Sequence, residues 1–282
     1  MKIKITTDST CDLGNELAER YDIDVIPLSV ILGDSAEYKD GVDITPQDIF
    51  DFVKKTGTLP KTCAITIEEY VAFFERELTE NDSVIHFNIS SKASSSNSNA
   101  VIAAEQFGGR VHTIDTLALS TGQGLLVLKA CEMARSGATD AEIVRTVNEL
   151  RPKVNTSFVP DALDYLHKGG RCSLASMLGA KILKLHPMIK MRDGQLYAAK
   201  KYMGDIDKCL KNYITELAKE YPKYDKSRCF ITHSQCEPET VKNVREIVAE
   251  KFEFDEIIET IAGCVVTSHC GRGTLGVLFI TE

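Results

Sequence analysis

The chain has 282 residues, 43% of them hydrophobic and 26% charged, a balance typical of one large or two ordinary globular domains with an ample core. The formal net charge is -8 and no basic cluster occurs, which disfavours nucleic acid as a partner because the long-range field repels polyanions. No apolar run reaches the roughly 20 residues of a membrane span, and no signal-peptide pattern opens the chain, so we expect a cytoplasmic protein without a membrane span.

The first half of the chain alternates strand-like and helix-like segments. Apolar runs predict strands at 2–6, 24–32, 83–89 and 110–115. Helical patterns follow at 13–21, after Thr45-Pro46, after the capping box that begins at Thr66, at 97–107, and in a long segment that ends near Arg135. This alternation predicts an α/β fold, with a mostly parallel sheet and helices on both faces.

A tract of hydroxyl side chains, SSKASSSNSNA at 90–100, lies between the predicted strand 83–89 and the next helix. Ligands of open parallel sheets collect beyond the carboxyl ends of the strands, where helix N-termini also present free N–H groups. Ser and Asn are also favoured at helix caps and in loops for structural reasons alone, so we expect most of the tract to be structural. At least one of its serines is expected to face a ligand.

Two further polar residues, Thr62 and Asp8, are expected at strand ends of the same parallel sheet. Thr62, in LPKTCAIT, lies between a helix and the Thr66 cap, where its hydroxyl could bind a ligand or only stabilise a loop. Asp8, in TTDST, follows the first strand. A carboxylate there could act in catalysis, but it more often caps the following turn.

After residue 152 the pattern changes. Strands are predicted at 156–159, 187–191, 195–202, 229–234, 256–261 and 276–281, with helices at 207–221 and 239–252. Asp193-Gly194 is typical of a tight hairpin turn, because these residues tolerate positive φ. We therefore predict two domains: a Rossmann-like α/β domain at 1–152 and an α+β domain with a six-stranded mixed sheet at 153–282.

Three glycine-rich segments could carry function. Lys168-Gly169-Gly170-Arg171 precedes a predicted helix at 173–183 and could hold a phosphate or an acidic partner, or be a plain turn with a solvated Arg171. In SHCGRGTLG, His269 adjoins a turn at Gly271 where backbone can approach a ligand closely. Gly122-Gln123-Gly124 predicts a helix that a ligand or another helix approaches closely.

Known catalytic and metal templates are absent from the sequence. It contains no GxGxxG after the first strand, no GxxxxGK[ST], no HExxH and no GxSxG, and it lacks the Cys and His spacings of a zinc site. Its nine cysteines include no CxxC pair, so we expect mostly reduced, buried thiols rather than a disulfide framework. The residues alone therefore predict no catalytic residue and no metal.

Several motifs, taken in order, resemble the DegV family along essentially the whole chain: TDSTCDL, KTCAIT, ISSKASSSNSNA, DTLALSTGQG, GGRCS and HCGRGTLGV. The resemblance implies a Rossmann-like N-terminal domain and a C-terminal domain with a six-stranded sheet. It also implies that one long-chain fatty acid, such as palmitate, binds between the domains without any other cofactor. In many bacteria such proteins serve as the binding subunit of a fatty-acid kinase, whose separate catalytic subunit performs the phosphorylation.

The resemblance also implies a binding site for the fatty-acid carboxylate. The family's ligand hydroxyls fall on Thr62 and Ser94, and its histidine falls on His269. The chain departs from the family by Ser94-Ser95-Ser96 in place of Ser-Gly-Thr, and by Thr62-Cys63-Ala64-Ile65 in place of Thr-Ser-x-Pro. Both departures leave the binding hydroxyls in place.

Secondary candidates for this site are Asp8, Ser91, Arg171 and Gly271, with Arg171 expected at the rim, where it would act on coupling to the kinase. Two other functions stay open. One is a hydrolase or phosphotransferase that uses Asp8 and His269. The other is a nucleotide-binding regulatory protein that uses the glycine-rich turns and Arg171.

Overall fold

The computed structural model of the protein describes residues 2–34, 36–170 and 184–282. The strands among these residues are β1 (Ile3–Asp8), β2 (Asp24–Ile26), β3 (Ser29–Leu32), β4 (Ala36–Lys39), β5 (Lys61–Cys63), β6 (Ser83–Asn88), β7 (Val111–Asp115), β8 (Val154–Asn155), β9 (Ser157–Val159), β10 (Leu185–Arg192), β11 (Gln195–Met203), β12 (Tyr224–His233), β13 (Ile257–Ile261) and β14 (Leu275–Thr281). The α-helices are α1 (Gly14–Tyr21), α2 (Pro46–Thr56), α3 (Ile67–Glu77), α4 (Ser96–Ala104), α5 (Thr121–Arg135), α6 (Asp140–Leu150), α7 (Asp164–Lys168), α8 (Ile206–Glu220), α9 (Pro238–Lys251) and α10 (Cys264–Cys270).

The first sheet is fully parallel, with strand order β2-β1-β6-β7. In its register Ile5 of β1 lies opposite Ile85 of β6. One face of the sheet packs Ile5 and Ile85 against α1, α5 and α6, and the other packs Val84 and Val111 with α3 and α4. The predicted α/β architecture, with helices on both faces, is confirmed.

A second, three-stranded antiparallel sheet with the order β4-β3-β5 was not predicted. The segment 24–32, expected as one strand, is divided: β2 pairs with β1, and β3 pairs with β4 and β5. Pro27 separates the two strands, and its missing N–H cannot continue a ladder. Thr62 consequently lies on β5, opposite Val30, and not at a strand end of the parallel sheet as we expected.

The third sheet is mixed, with the order β11-β10-β9-β14-β12-β13, and contains all six strands predicted for the second half of the chain. The two-residue strand β8 also pairs with β14. Strands β10 and β11 form the predicted hairpin, in which Asp193 and Gly194 have φ of 50° and 78°. The α+β architecture of this half, with its mixed sheet, is confirmed.

Helix α5 lies between the parallel and mixed sheets, in an apolar cluster that also contains Ile5, Phe230 and Leu278. Two glycines let neighbouring groups approach its first turn. A Cβ added at Gly122 would lie 2.2 Å from Thr156 Oγ1, and one at Gly124 would lie 2.7 Å from Leu13 Cδ2. The helix and the close approach predicted at Gly122-Gln123-Gly124 are present, but the approaching groups are the Thr156 and Leu13 side chains and the Cys11 carbonyl, where we expected a ligand or another helix.

Local sequence determines several helix starts. Thr66 forms the predicted capping box of α3, and the capped start predicted at Thr45 is also a capping box, with Pro46 at the first position of α2. The eight cysteines among the described residues are free, and Cys63 is the exposed one among them. Within the described ranges no helix combines the length and the apolar character needed to cross a membrane.

Candidate functional site

A cavity of about 210 Å³ lies where α10 and the hairpin strand β11 face β5 and the serine tract. Its polar lining comes from Thr62, Cys63, Ser94, Ser95 and His269. Most of the remaining wall is apolar and includes Leu28, Ile89, Ala93, Leu119, Leu166, Leu196, Val265 and Val266. Segments from both halves of the sequence therefore build one pocket with a few polar groups in an apolar surface, the usual form of a site for a small apolar ligand.

Thr62 and His269 meet at this cavity, although they are 207 residues apart in the chain. Thr62 Oγ1 lies 2.9 Å from His269 Nε2, and both side chains are half-buried. A Cβ added at Gly169 would lie 2.7 Å from His269 Nδ1, so the missing side chain at Gly169 makes room for the ring. The structure thus brings together Thr62 and His269, two of the residues that the family resemblance assigns to one site.

Ser94 and Ser95 are the two serines of the tract that line the cavity. Ser94 Oγ accepts a hydrogen bond from the Ser96 N–H at 3.2 Å and lies 2.9 Å from Ser96 Oγ. Ser95 is the N-cap residue of α4, and its side chain makes no capping hydrogen bond. Ser98 is exposed on α4. The tract is therefore partly a cavity wall and partly a helix start.

Ser90 and Ser91 are not among the residues that line the cavity. Ser90 is fully buried, and its hydroxyl donates to the Gly194 carbonyl at 2.8 Å. The Ser91 N–H donates to Asp115 Oδ1 at 3.1 Å, and Ser91 is not among the cavity residues.

Asp8 is buried beneath the serine tract rather than at the cavity. Its carboxylate accepts hydrogen bonds from Ile89 N–H at 2.8 Å, Gln123 Nε2 at 3.1 Å and Thr10 Oγ1 at 2.5 Å. Burial raises the pKa of Asp8, although these hydrogen bonds oppose the shift. Asp8 also caps the short 3₁₀ helix Ser9–Cys11, which is the structural role that a carboxylate after a strand usually has.

The two remaining secondary candidates are Gly271 and Arg171, and the structure describes the first of them. Gly271 ends α10 with a φ of 78°, and a Cβ there would lie 2.7 Å from Tyr165 Cδ2, so this turn packs against α7 and not against the cavity. Arg171, the expected rim residue, and the predicted helix 173–183 lie outside the described residues.

The chemistry available at the cavity is hydrogen bonding. Hydroxyls and an imidazole can bind an anionic or polar head group, while the apolar wall can bury a hydrocarbon chain. Over the described parts of the chain, no group of three or more His, Cys, Asp or Glu side chains is arranged to hold a metal ion.

A profile of DegV, described as a family of uncharacterised proteins, matches residues 2–282 of the chain. The chain belongs to the DegV family. A DegV domain-containing protein from Caldanaerobacter subterraneus is 33% identical over 99% of this chain and 98% of its own length. A Thermotoga maritima protein named as a fatty acid-binding protein is 32% identical over 98% of this chain and 96% of its own length.

A solved structure agrees with this assignment. The structure of a DegV family protein from Thermus thermophilus, described by its fatty acid binding, matches with a TM-score of 0.90 at 30% identity. The match covers 100% of both chains.

Two buried carboxylates that we did not predict hold α10 in this DegV protein. The Gly263 N–H donates to Asp12 Oδ1 at 2.8 Å, and the Cys264 N–H donates to Asp40 Oδ1 at 2.7 Å. Ser120 Oγ also donates to Asp12, at 2.5 Å. Because α10 carries His269, these contacts fix the helix that presents the histidine. Asp12 is part of the TDSTCDL motif, so its position was visible, but no local pattern indicated a partner 251 residues away.

The Asp12 carboxyl makes stability depend on pH. Burial raises the pKa of Asp12 to about 8, although the hydrogen bonds from Ser120 and Gly263 oppose the shift. The folded state then holds a proton that the unfolded state has released, so the free energy of unfolding falls as pH rises from the unfolded pKa towards 8. Buried His86, whose pKa burial lowers to about 3, has the opposite effect, which levels off above its unfolded pKa of 6.5.

We therefore expect the free energy of unfolding to fall between pH 6.5 and pH 8, with up to about 1.4 kcal/mol per pH unit due to Asp12. Asp12→Asn should remove the Asp12 share of that slope, and its amide oxygen can still accept from Gly263. Asp8 and Asp40, whose pKa values burial also raises, act in the same direction and remain in the variant. Urea unfolding at several pH values measures the slope, with Asp51→Asn, an exposed carboxylate, as the control. A slope in Asp12→Asn equal to that of wild type would show that Asp12 is ionised in the folded protein.

Proposed function

We propose that the protein binds one long-chain fatty acid, such as palmitate, between an N-terminal domain at 1–152 and a C-terminal domain at 153–282. The carboxylate would lie against the hydroxyls of Thr62 and Ser94 beside His269, and the acyl chain against the apolar wall. The observation that carries the proposal is the Thr62–His269 pair at a largely apolar cavity. The relatives from Thermotoga maritima and Thermus thermophilus, described by fatty acid binding, support the class of ligand.

The geometry suits a neutral site for a charged head group. With its proton on Nε2, the His269 ring donates to Thr62 Oγ1, and the Thr62 hydroxyl can then donate to the carboxylate. Ser94 accepts from the Ser96 N–H, and when Ser96 Oγ is the donor in its 2.9 Å contact with Ser94 Oγ, the Ser94 hydroxyl proton is available for the same group. Lys and Arg are absent from the described lining of the cavity, so the carboxylate would stay unpaired with a cation and remain reactive towards a phosphoryl donor.

Apolar burial would supply most of the affinity. About 15 methylenes at about 0.8 kcal/mol each amount to on the order of 12 kcal/mol, before the costs of association and ordering are subtracted. The head group then needs only a few well-placed donors, which is what the cavity offers.

The protein as purified should carry the ligand. We expect organic extraction followed by mass spectrometry to give about one fatty acid per chain, and fatty acid to raise the melting temperature of delipidated protein. Stabilisation by nucleotide in place of fatty acid would contradict the proposal and favour the regulatory alternative. The hydrolytic alternative needs Asp8 and His269 at one site, and Asp8 is not among the cavity residues.

We further propose that a separate kinase catalytic subunit phosphorylates the bound fatty acid. A carboxylate oxygen would attack the terminal phosphorus of ATP, forming the acyl phosphate bond and releasing ADP. We expect no acyl phosphate from this protein with ATP and fatty acid alone, and formation once a DegV-associated kinase is added. Acyl phosphate made by the isolated chain at more than a trace rate would contradict this division of roles.

A further inference from the structure

The turn of the β10–β11 hairpin contacts the serine tract on the other half of the molecule. The Ser90 hydroxyl donates to the Gly194 carbonyl at 2.8 Å, across 104 residues of sequence. Ser90 is fully buried and also accepts from the Lys92 N–H at 3.2 Å. This hydrogen bond joins the hairpin to the tract and gives both the buried Ser90 hydroxyl and the buried Gly194 carbonyl a partner.

The fit at this contact leaves no space for a side chain on the turn. A Cβ at Gly194 would lie 2.5 Å from Ser90 Oγ, 3.0 Å from Leu117 Cδ2 and 3.2 Å from Lys92 Cγ. The residue also has a φ of 78°, which favours glycine. Glycine at 194 thus serves both the tight turn and the approach of the hairpin to the tract.

Both partners of the contact adjoin the cavity wall. Leu196, two residues after Gly194, lines the cavity from the hairpin, and Ile89 and Ala93, on either side of Ser90, line it from the tract. Leu196 and Ile89 belong to one buried apolar cluster, with Ala93 packed against it. The hairpin turn and the tract thus meet beside residues that form two walls of the cavity.

We propose that Ser90 and Gly194 form a latch, defined as this one hydrogen bond and its close packing, that holds the hairpin wall against the tract and slows release of the fatty acid. The inference rests on the proposed fatty-acid binding. Ser90 and Gly194 are positioning residues in this proposal, since neither is among the residues that line the cavity.

The test is the dissociation rate of a fluorescent long-chain fatty acid, chased with excess palmitate in a stopped-flow instrument. Ser90→Ala removes the donor and leaves the Gly194 carbonyl unpaired, and Gly194→Ala pushes the turn away, so each should speed release about tenfold. The matched controls are Ser98→Ala, an exposed serine of the same tract, and Gly137→Ala, with a φ of 84° and open space around its Cβ. Gly137→Ala carries the backbone strain without the contact, so it should lower the melting temperature and leave release unchanged.

The double variant Ser90→Ala/Gly194→Ala decides whether the two residues act through one contact. We expect its release rate to match that of the faster single variant. Either substitution alone breaks the Ser90–Gly194 contact, so the second one has no further contact to remove. Release rates equal to wild type in both single variants, with fatty acid still bound, would overturn the latch alone. A wild-type protein that binds no fatty acid would overturn the proposed function, and the latch with it.

Discussion

Replacing Thr62 or Ser94 by alanine should weaken fatty-acid binding about tenfold or more in each case. Each hydroxyl is proposed to donate to the same carboxylate, and a hydrogen bond to a charged acceptor is worth roughly 1.5 to 3 kcal/mol. The Thr62–His269 distance of 2.9 Å places the threonine hydroxyl at the cavity, and Thr62→Ala removes both this contact and the proposed bond to the ligand. Displacement of a fluorescent fatty acid measures the affinities, with circular dichroism as the check on folding.

The controls come from the same segments. Thr62→Ser keeps the hydroxyl and should retain most of the affinity, and Ser98→Ala should bind as wild type does, because Ser98 is exposed on α4. Ser95→Ala should have a smaller effect than Ser94→Ala, although both residues line the cavity. The Thr62/Ser94 double variant should depart from additivity, since both groups serve one carboxylate.

Binding of a fatty-acid methyl ester, which lacks the carboxylate, distinguishes loss of the carboxylate contacts from a general loss of structure in the alanine variants. It should bind wild type less well than the acid does, and the alanine variants should weaken its binding little. If Ser95 matters and Ser94 does not, the register taken from the DegV family is wrong for this chain. If neither matters, the serine tract only supports the fold.

Gly122→Ala should destabilise the folded protein by about 1 to 3 kcal/mol through overpacking, reduced by about 1 kcal/mol of gained helix propensity. The new Cβ would lie 2.2 Å from Thr156 Oγ1 and 3.3 Å from Thr156 Cβ, in the buried region between the two large sheets. Thr156 is 2% exposed, so its side chain has little room to move away. Urea unfolding followed by circular dichroism measures the loss.

The rescue variant is Thr156→Ala. Among the described residues Thr156 Oγ1 has no hydrogen-bond partner, so Thr156→Ala alone should cost only the burial of its methyl group, about 1 kcal/mol. In the background of Gly122→Ala it should restore most of the lost stability by clearing the space. A double variant that is as unstable as Gly122→Ala would show that the clash at Thr156 is not the cause.

Local patterns were sufficient for most of the fold. The capped helix start at Thr45, the capping box at Thr66, the Asp193-Gly194 turn and the apolar runs of β1, β6 and β7 are determined by residues close in sequence, and these were predicted. The antiparallel sheet β4-β3-β5 was missed because its strands are short and its pairing joins residues distant in sequence, such as Val30 and Thr62.

At the site, too, contacts between residues distant in sequence were the part that could not be predicted. Family motifs pointed to Thr62, Ser94 and His269, and the structure brings all three to one cavity. Asp12 and Asp40 escaped prediction because their function depends on α10, more than 220 residues away along the chain. The Ser90–Gly194 contact likewise joins a predicted hairpin turn and the serine tract, whose sequences give no sign of each other, and only tertiary packing makes them partners.

The orientation of the bound fatty acid tests the central claim most directly. We propose to crystallise the protein with 2-bromohexadecanoate, whose bromine marks the carbon beside the carboxylate, and to locate the bromine by anomalous scattering. The account predicts one anomalous peak at the end of the cavity formed by Thr62, Ser94 and His269. A peak at the far end of the acyl chain, or at a site away from this cavity, would contradict the assignment of these three residues to the carboxylate.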